Sequence, residues 1–162
     1  MTEPAPQRHD DFPARILRSV DPQKPSLPAA SDDTLVLAIV PAASALAAAR
    51  DAVRVFLRRL TVPEGAVCDV VLSLEEACKN AIRFSGSRCP IDVTVAADAT
   101  DVSLEVRDHG VGFEPRPIDP AVPPDPLETQ GRGLFLMACL MDDVRVAYDR
   151  GTVVTMRKAM VP

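Results

Sequence analysis

The sequence predicts an α+β fold, a two-layer sandwich in which a mixed, mostly antiparallel sheet carries its helices on one face. The predicted elements follow the order strand, helix, helix, strand, strand, loop, helix, strand, strand, which lacks the regular alternation of a doubly wound parallel sheet. Apolar and polar residues alternate in the middle strands, as expected for a sheet with one buried and one solvated face. The helices carry apolar stripes that the buried face of such a sheet can cover.

The length of 162 residues indicates one domain with a substantial core. Residues 1–33 contain six prolines and mixed charges with little periodicity, so we expect a mostly disordered tail there. The folded domain is expected over residues 34–159. A short helical patch that docks elsewhere is the alternative for four apolar residues of the tail: Phe12, Ile16, Leu17 and Val20.

Composition argues against several classes of function. The net charge is −5 and no run of Lys and Arg appears, which disfavours a nucleic-acid partner. No apolar run approaches the roughly 20 residues of a membrane span, and the polar start does not resemble a signal peptide, so we expect a cytoplasmic protein. The cysteines form no C-x-x-C pair, so a zinc site is not expected. Three of them fall among apolar helix positions and are expected to be buried thiols: Cys68, Cys78 and Cys139.

The first half of the domain is predicted to be a strand followed by two helices. The β-branched apolar run 34–40 indicates the strand, and Pro41 opens an Ala-rich helix over 42–60. A turn at 63–65 leads into the second helix, which a Ser-Gly-Ser sequence at 85–87 ends. Its apolar residues recur at steps of three and four, as in an amphipathic helix: Val67, Val70, Val71, Leu74, Ala77, Cys78, Ala81 and Ile82.

The second half is predicted to contain two hairpins separated by a loop and a helix. The loop 114–130 carries six prolines and is expected to be a lid or binding loop, or else disordered. The strands of the first hairpin alternate apolar and polar residues around a turn at 99–101. The predicted bounds are 91–95 and 102–106 for the first hairpin, 134–141 for the third helix, and 144–148 and 152–158 for the last hairpin.

A candidate site lies on the second helix. Glu76 and Asn80 are four residues apart and therefore share one face, which also holds Ser73. A carboxylate and an amide beside a buried stripe could hold a hydrated divalent cation or aim a proton acceptor. A solvated helix face is the alternative.

Two glycine-containing turns add to this site. Asp108 ends a strand just before Gly110 and Gly112, where the backbone can approach a ligand closely. Its carboxylate could accept hydrogen bonds from a ligand amino group, or else cap a turn. Gly131 and Gly133 lead into the third helix, whose first N–H groups attract phosphate. The P-loop pattern G-x-x-x-x-G-K-[ST] and a full G-x-G-x-x-G are both absent.

These motifs, in this order, resemble the Bergerat-fold ATP-binding superfamily of gyrase B, MutL, the heat-shock chaperone ATPases and histidine kinase catalytic domains. Within it, the sequence resembles the small anti-sigma factor serine kinases in particular. The similarity covers about residues 33–159. Its segments are an N box at 76–81, a first glycine box at 108–113, a second at 131–137 with 140–144, and a closing strand at 151–158.

The resemblance implies that ATP and Mg²⁺ are the cofactors. Asn80 would be the magnesium ligand through its amide oxygen. Glu76 would act as the base, on a substrate hydroxyl or on water. Asp108 would accept a hydrogen bond from the adenine amino group, and Thr152 would support the adenine through water.

The glycine boxes would complete the implied nucleotide site. Gly110 and Gly112 would let the backbone come close to the base, and residues 115–130 would form the lid. On the phosphate side, Gly131 and Gly133 would present N–H groups to the phosphates. The implied phosphate-side segment consists of Gly131, Arg132, Gly133 and Leu134.

Some positions depart from the family pattern. Lys79 stands where a small residue is common, and its side chain is expected to point away from Asn80. Arg132 replaces a small or apolar residue and could aid phosphate binding or face solvent. Phe84 stands where histidine is frequent. Arg83 is a candidate phosphate contact, with a surface arginine as the alternative.

The implied function is an ATP-dependent kinase that phosphorylates a Ser/Thr of an anti-sigma factor antagonist and sequesters a sigma factor. The alternative is a nucleotide-binding, partner-switching module without phosphotransfer; the presence of Glu76 favours the kinase. A histidine kinase fragment is disfavoured, because neither His9 nor His109 lies in a dimerising helical hairpin. Homodimers are common in the family that the sequence resembles.

Overall fold

The structure is a computed structural model that describes residues 18–19, 33–112, 122 and 131–160. Of the tail, only the backbone of Arg18 and Ser19 falls within these ranges. The predicted helical patch lies outside the described residues, and so does the predicted lid apart from Val122.

The described strands form one sheet of mixed, mostly antiparallel pairing. Their bounds are β1 Arg18–Ser19, β2 Thr34–Ile39, β3 Ile91–Ala97, β4 Asp101–Arg107, β5 Asp143–Tyr148 and β6 Thr152–Ala159. They lie in the order β1-β5-β6-β4-β3-β2. All pairs are antiparallel except that β1 runs parallel to β5. The long-range pairing of β4 with β6 places the end of β4 beside the start of β6, which matters for the site.

The described helices are α1 Ala43–Arg59, α2 Glu64–Phe84 and α3 Arg132–Leu140. The last turn of α1 carries Arg58 and Arg59, whose positive charges lie at the negative end of the helix dipole. The central helix is α2, which contacts α1, α3 and the strands β4 and β6. Its position in the middle of the helical layer explains why its apolar stripe is so extensive.

The sheet has one apolar and one charged face. Val93, Val95 and Leu104 face the helices and are fully buried in the same core as the helix stripes. On the opposite face, Arg157 donates to Asp101 over 2.7 Å across neighbouring strands. Because side chains alternate between faces along a strand, this division confirms the predicted two-layer α+β sandwich with its helices on one face.

The buried-thiol prediction is correct for one cysteine and wrong for two. Cys78 is fully buried, whereas Cys68 and Cys139 are exposed. Successive residues of a helix point about 100° apart, so an apolar residue next to the buried stripe does not have to belong to it. The exposed pair lies beside the stripes of α2 and α3 rather than on them.

Candidate functional site

The N-box face of α2 passes from buried to exposed along the helix. Ser73 is fully buried, and its hydroxyl oxygen has no hydrogen-bond partner among the described residues. Glu76 and Asn80 are partly exposed, while the adjacent Ala77 and Ala81 are buried. Because alanine side chains are short, they leave space beside Glu76 and Asn80, and a ligand can reach these two polar side chains.

The N-terminus of α3 lies directly against this face. Gly131 precedes the helix with a φ of +87°, a left-handed conformation that favours glycine. A Cβ added at Gly133 would lie 3.1 Å from Glu76 Oε2 and 3.2 Å from Asn80 Nδ2. The structure therefore brings the second glycine box and the N box together, although they are about 50 residues apart in the chain.

The helix begins earlier than the sequence predicted. Its first residue is Arg132 rather than Leu134, so Gly133 belongs to the first turn. Phe135 N–H donates to the Gly131 carbonyl over 2.9 Å. The N–H groups of Gly133 and Leu134 precede this first helical hydrogen bond and are therefore directed out of the helix end. The Leu134 side chain is buried.

Asp108 is a buried carboxylate at the end of β4, 6% exposed. Its Oδ1 accepts hydrogen bonds from two backbone N–H groups, that of Gly110 over 2.9 Å and that of Thr152 over 3.0 Å. Its own N–H donates to the Thr152 carbonyl over 2.9 Å. The turn-cap alternative is thus realised, and it uses only one of the two carboxylate oxygens within the described chain.

A small pocket connects Asp108 with the N-box face. Its wall includes Asn80 from α2 and both Asp108 and Thr152 from the sheet, and the remaining residues that line it are apolar: Ala77, Ala81, Val106 and Val154. An apolar cleft with a few convergent polar groups is the usual form of a small-molecule site. Of the residues predicted from the sequence, the structure therefore groups Glu76, Asn80, Gly133, Asp108 and Thr152.

The glycines after β4 have neighbours within the chain itself. A Cβ at Gly110 would overlap the Ser85 carbonyl oxygen at the end of α2. Gly112 has a φ of +72°, and a Cβ there would overlap the Tyr148 ring. The close packing at these two positions explains why each is a glycine. The approach of their backbone to a nucleotide base stays a prediction.

A network of ion pairs runs beside the site, and the sequence reasoning missed it. Lys79 Nζ lies 2.8 Å from Glu75 Oε1 and 3.1 Å from Glu76 Oε1. Arg50 on α1 donates to the other oxygen of Glu75 over 2.8 Å. Glu75 and then Glu76 raise the pKa of the Lys79 ammonium, and Lys79 and Arg50 lower the pKa of the Glu75 carboxyl. The spacings of three and four residues between these glutamates and Lys79 were the available signal.

The remaining candidates lie at the edge of the site. Arg132 is exposed. The Arg83 guanidinium lies 5.1 Å from the centre of the Phe84 ring, a cation–π contact on the exposed end of α2. This contact agrees with the surface-arginine alternative for Arg83.

Two features are absent from the described residues. These residues contain no group of three or more His, Cys, Asp or Glu side chains that could hold a metal ion. They also contain no helix with the length and apolar character needed to cross a membrane.

Comparison with known proteins identifies the family. The model of the histidine kinase-like ATPase domain matches residues 39–158. The chain belongs to this family. Among similar proteins, the serine-protein kinase RsbW of Bacillus cereus is 30% identical over 99 residues, which cover 56% of this chain and 62% of that protein. RsbW of Bacillus mycoides has the same identity and coverage. The chain thus spans less than two thirds of the length of these relatives. The match to the family model and to these kinases confirms the family resemblance that the sequence motifs indicated.

Two solved structures share the fold of this histidine kinase-like ATPase domain. The structure of the RsbU and RsbW domains of a Mycobacterium tuberculosis protein has a TM-score of 0.61 and 18% identity, covering 80% of this chain and 33% of that one. The SiaB–SiaC complex from Pseudomonas aeruginosa has a TM-score of 0.53 and 14% identity, covering 77% of this chain and 88% of that one.

Proposed function

We propose that the chain is an ATP-dependent protein kinase that phosphorylates a Ser/Thr of an anti-sigma factor antagonist and sequesters a sigma factor in the cytoplasm. One observation carries the proposal. Glu76 and Asn80 lie against the N-terminus of α3, and Asn80 lines the same pocket as the buried Asp108. A nucleotide bound there would have its base at one end and its phosphates at the other.

The donor groups fit a metal-bound nucleotide. Mg²⁺ usually takes one or two oxygens from the protein and the rest from phosphates and water. Asn80 offers an amide oxygen, and the N–H groups of Gly133 and Leu134 offer donors for phosphate at a helix N-terminus. When bound, the metal would neutralise charge that develops on the phosphates.

The sheet end of the pocket suits an adenine ring. Val106, Val154 and Ala81 provide an apolar wall. Asp108 Oδ1 is occupied by two backbone N–H groups, so Oδ2 would accept from the adenine amino group. Thr152 lines the same wall and would support the ring through water.

Glu76 would act as the general base. Its carboxylate is partly exposed and lies one helical turn from Asn80, so a hydroxyl held near the phosphates would come within its reach. It would accept the proton of the attacking Ser/Thr hydroxyl and orient that oxygen toward the phosphate.

The partners are proposed from the motifs and from the relatives. Those from Bacillus are serine-protein kinases by name. The Pseudomonas aeruginosa neighbour SiaB was solved in a complex with SiaC, which agrees with a domain that binds another protein. The antagonist protein as substrate, the sigma factor as sequestered partner and the homodimer as the assembly are proposed from the resemblance of the motifs to the anti-sigma factor serine kinases.

The test is phosphate transfer from labelled ATP with Mg²⁺ to small antagonist proteins encoded by neighbouring genes. We expect transfer that disappears in Glu76→Ala while ATP binding remains. Binding without transfer to any candidate would instead indicate a partner-switching module that uses the nucleotide as a conformational ligand. A protein that does not bind Mg·ATP at all would refute both.

A further inference from the structure

The two oxygens of the Glu76 carboxylate have different surroundings. Oε2 lies 3.1 Å from the position of a Cβ on Gly133, at the end of α3 beside the Asn80 amide. Oε1 accepts a hydrogen bond of 3.1 Å from Lys79 Nζ. The carboxylate therefore presents one oxygen to the N-terminus of α3, while its other oxygen accepts from a cation on its own helix.

Lys79 is itself held by neighbours. Its Nζ lies 2.8 Å from Oε1 of Glu75, whose side chain is only 19% exposed. The second oxygen of Glu75 accepts from Arg50 Nη1 over 2.8 Å. The order Arg50, Glu75, Lys79, Glu76 thus forms a continuous ion network that ties the site to α1.

We propose that Lys79 is a positioning residue that fixes the Glu76 carboxylate with Oε2 toward the N-terminus of α3. The inference rests on the proposed function, because the direction of Oε2 matters only when a hydroxyl or a water molecule meets it. Lys79 acts through Glu76 and does not itself touch the reacting atoms.

If Lys79 orients Glu76, its replacement should change turnover, whereas a purely structural Lys79 would change the stability of the fold. Exposed ion pairs at a spacing of three or four residues add little to stability, so the fold should tolerate the loss of Lys79. A catalytic base must be held within about 0.5 Å of its productive position. The loss of Lys79 should therefore lower the turnover rate. A lysine that contacted phosphate directly would instead affect nucleotide affinity.

The experiment compares Lys79→Met and Lys79→Arg with the full-length wild-type chain. The Kd for Mg·ATP is measured by calorimetry, and turnover by the release of inorganic phosphate from labelled ATP, with water as acceptor. We expect Lys79→Met to lower kcat by about 10-fold, with Kd and melting temperature unchanged, and Lys79→Arg to restore part of the rate. Arg58→Met is the matched control, because Arg58 pairs with Glu64 at the other end of α2.

Two further measurements separate positioning from other effects. In a Glu76→Gln background, Lys79→Met should cause no additional loss of kcat, because there is no carboxylate left to orient. In the nucleotide-free protein, the carboxyl carbon signal of Glu76, followed by NMR, should shift in Lys79→Met and stay in place in Arg58→Met, because Lys79 contacts that carboxylate and Arg58 pairs with Glu64 instead. The NMR measurement does not depend on activity.

Each outcome decides the inference. Wild-type turnover in Lys79→Met, a rise in Kd without a loss of kcat, or an unchanged Glu76 carboxyl signal in Lys79→Met would overturn the positioning role and leave the proposed function intact. A wild-type protein that fails to bind Mg·ATP would overturn the proposed function together with this role. A loss of kcat confined to proteins that contain Glu76 would support it.

Discussion

Replacing Gly133 by alanine should improve the helix and damage the site. Gly133 lies in the first turn of α3, where it has no left-handed φ to maintain. Alanine is more favourable than glycine in a helix by up to about 1 kcal/mol. For a domain of this size that corresponds to a rise in Tm of about 2–4 °C.

The same methyl group would press on two functional side chains. It would lie 3.1 Å from Glu76 Oε2 and 3.2 Å from Asn80 Nδ2, whereas ordinary contacts begin at 3.4 Å. Both neighbours are ends of flexible side chains, so they would move by a few tenths of an ångström rather than unfold the helix. Because these atoms are the proposed base and the amide of the metal ligand, we expect turnover or Mg·ATP affinity to fall by about 10-fold.

Gly65→Ala is the matched control. Gly65 occupies the corresponding second position of α2, and a Cβ there would meet nothing within 4 Å. Melting curves by circular dichroism and Mg·ATP titrations by calorimetry should show similar stability for the two variants and a functional loss only in Gly133→Ala. Equal affinity and turnover in both variants would refute the placement of α3 against the N-box face in the working protein.

Four other predictions test single groups. Asn80→Ala should weaken binding of Mg·ATP but not of metal-free ATP, and equal losses in both titrations would contradict its role as a metal ligand. In Asp108→Asn, the amide oxygen should keep the two backbone N–H groups and turn the NH₂ toward the base, so competition binding should shift from ATP toward GTP; an unaltered preference would reject the contact. Burial raises the pKa of the Cys78 thiol to about 12, so at pH 8 a thiol reagent followed by mass spectrometry should leave Cys78 unmodified while the exposed cysteines react. Lys79 and Arg50 lower the pKa of Glu75 below its ordinary 4.5, so its contribution to stability is present above pH 4.5 and is lost as the pH falls further. Urea unfolding of Glu75→Gln should therefore depend less on pH in that acid range, and an identical dependence would argue against the network.

The elements of the fold were predictable because their signals are local. The stripe of α2 and the alternation in β3 and β4 are patterns within one segment, and the observed bounds differ from the predicted ones by a few residues. The pairing of β4 with β6 depends on contacts between segments that are distant in the chain. That pairing places Thr152 beside Asp108, which no pattern within either strand indicates.

The site was predictable in its residue types but not in its contacts. Glycines at 110 and 112 were interpreted as letting a ligand approach the backbone, which stays a prediction, and the groups that lie close to them within the described chain are Ser85 and Tyr148. Lys79 was expected to point away from Asn80, and its actual contact with Glu76 depends on the rotamers of long side chains. Sequence spacing limits which side chains can meet but does not decide which of them do.

The charged outer face of the sheet is separated from the pocket by the sheet itself. Its cross-strand pair of Arg157 and Asp101 lies on the side away from the helices, while the pocket lies between α2 and the sheet. Under the proposed function, a protein docked on that outer surface would not cover the residues that line the pocket, so partner binding there and phosphate transfer would not compete for the same surface.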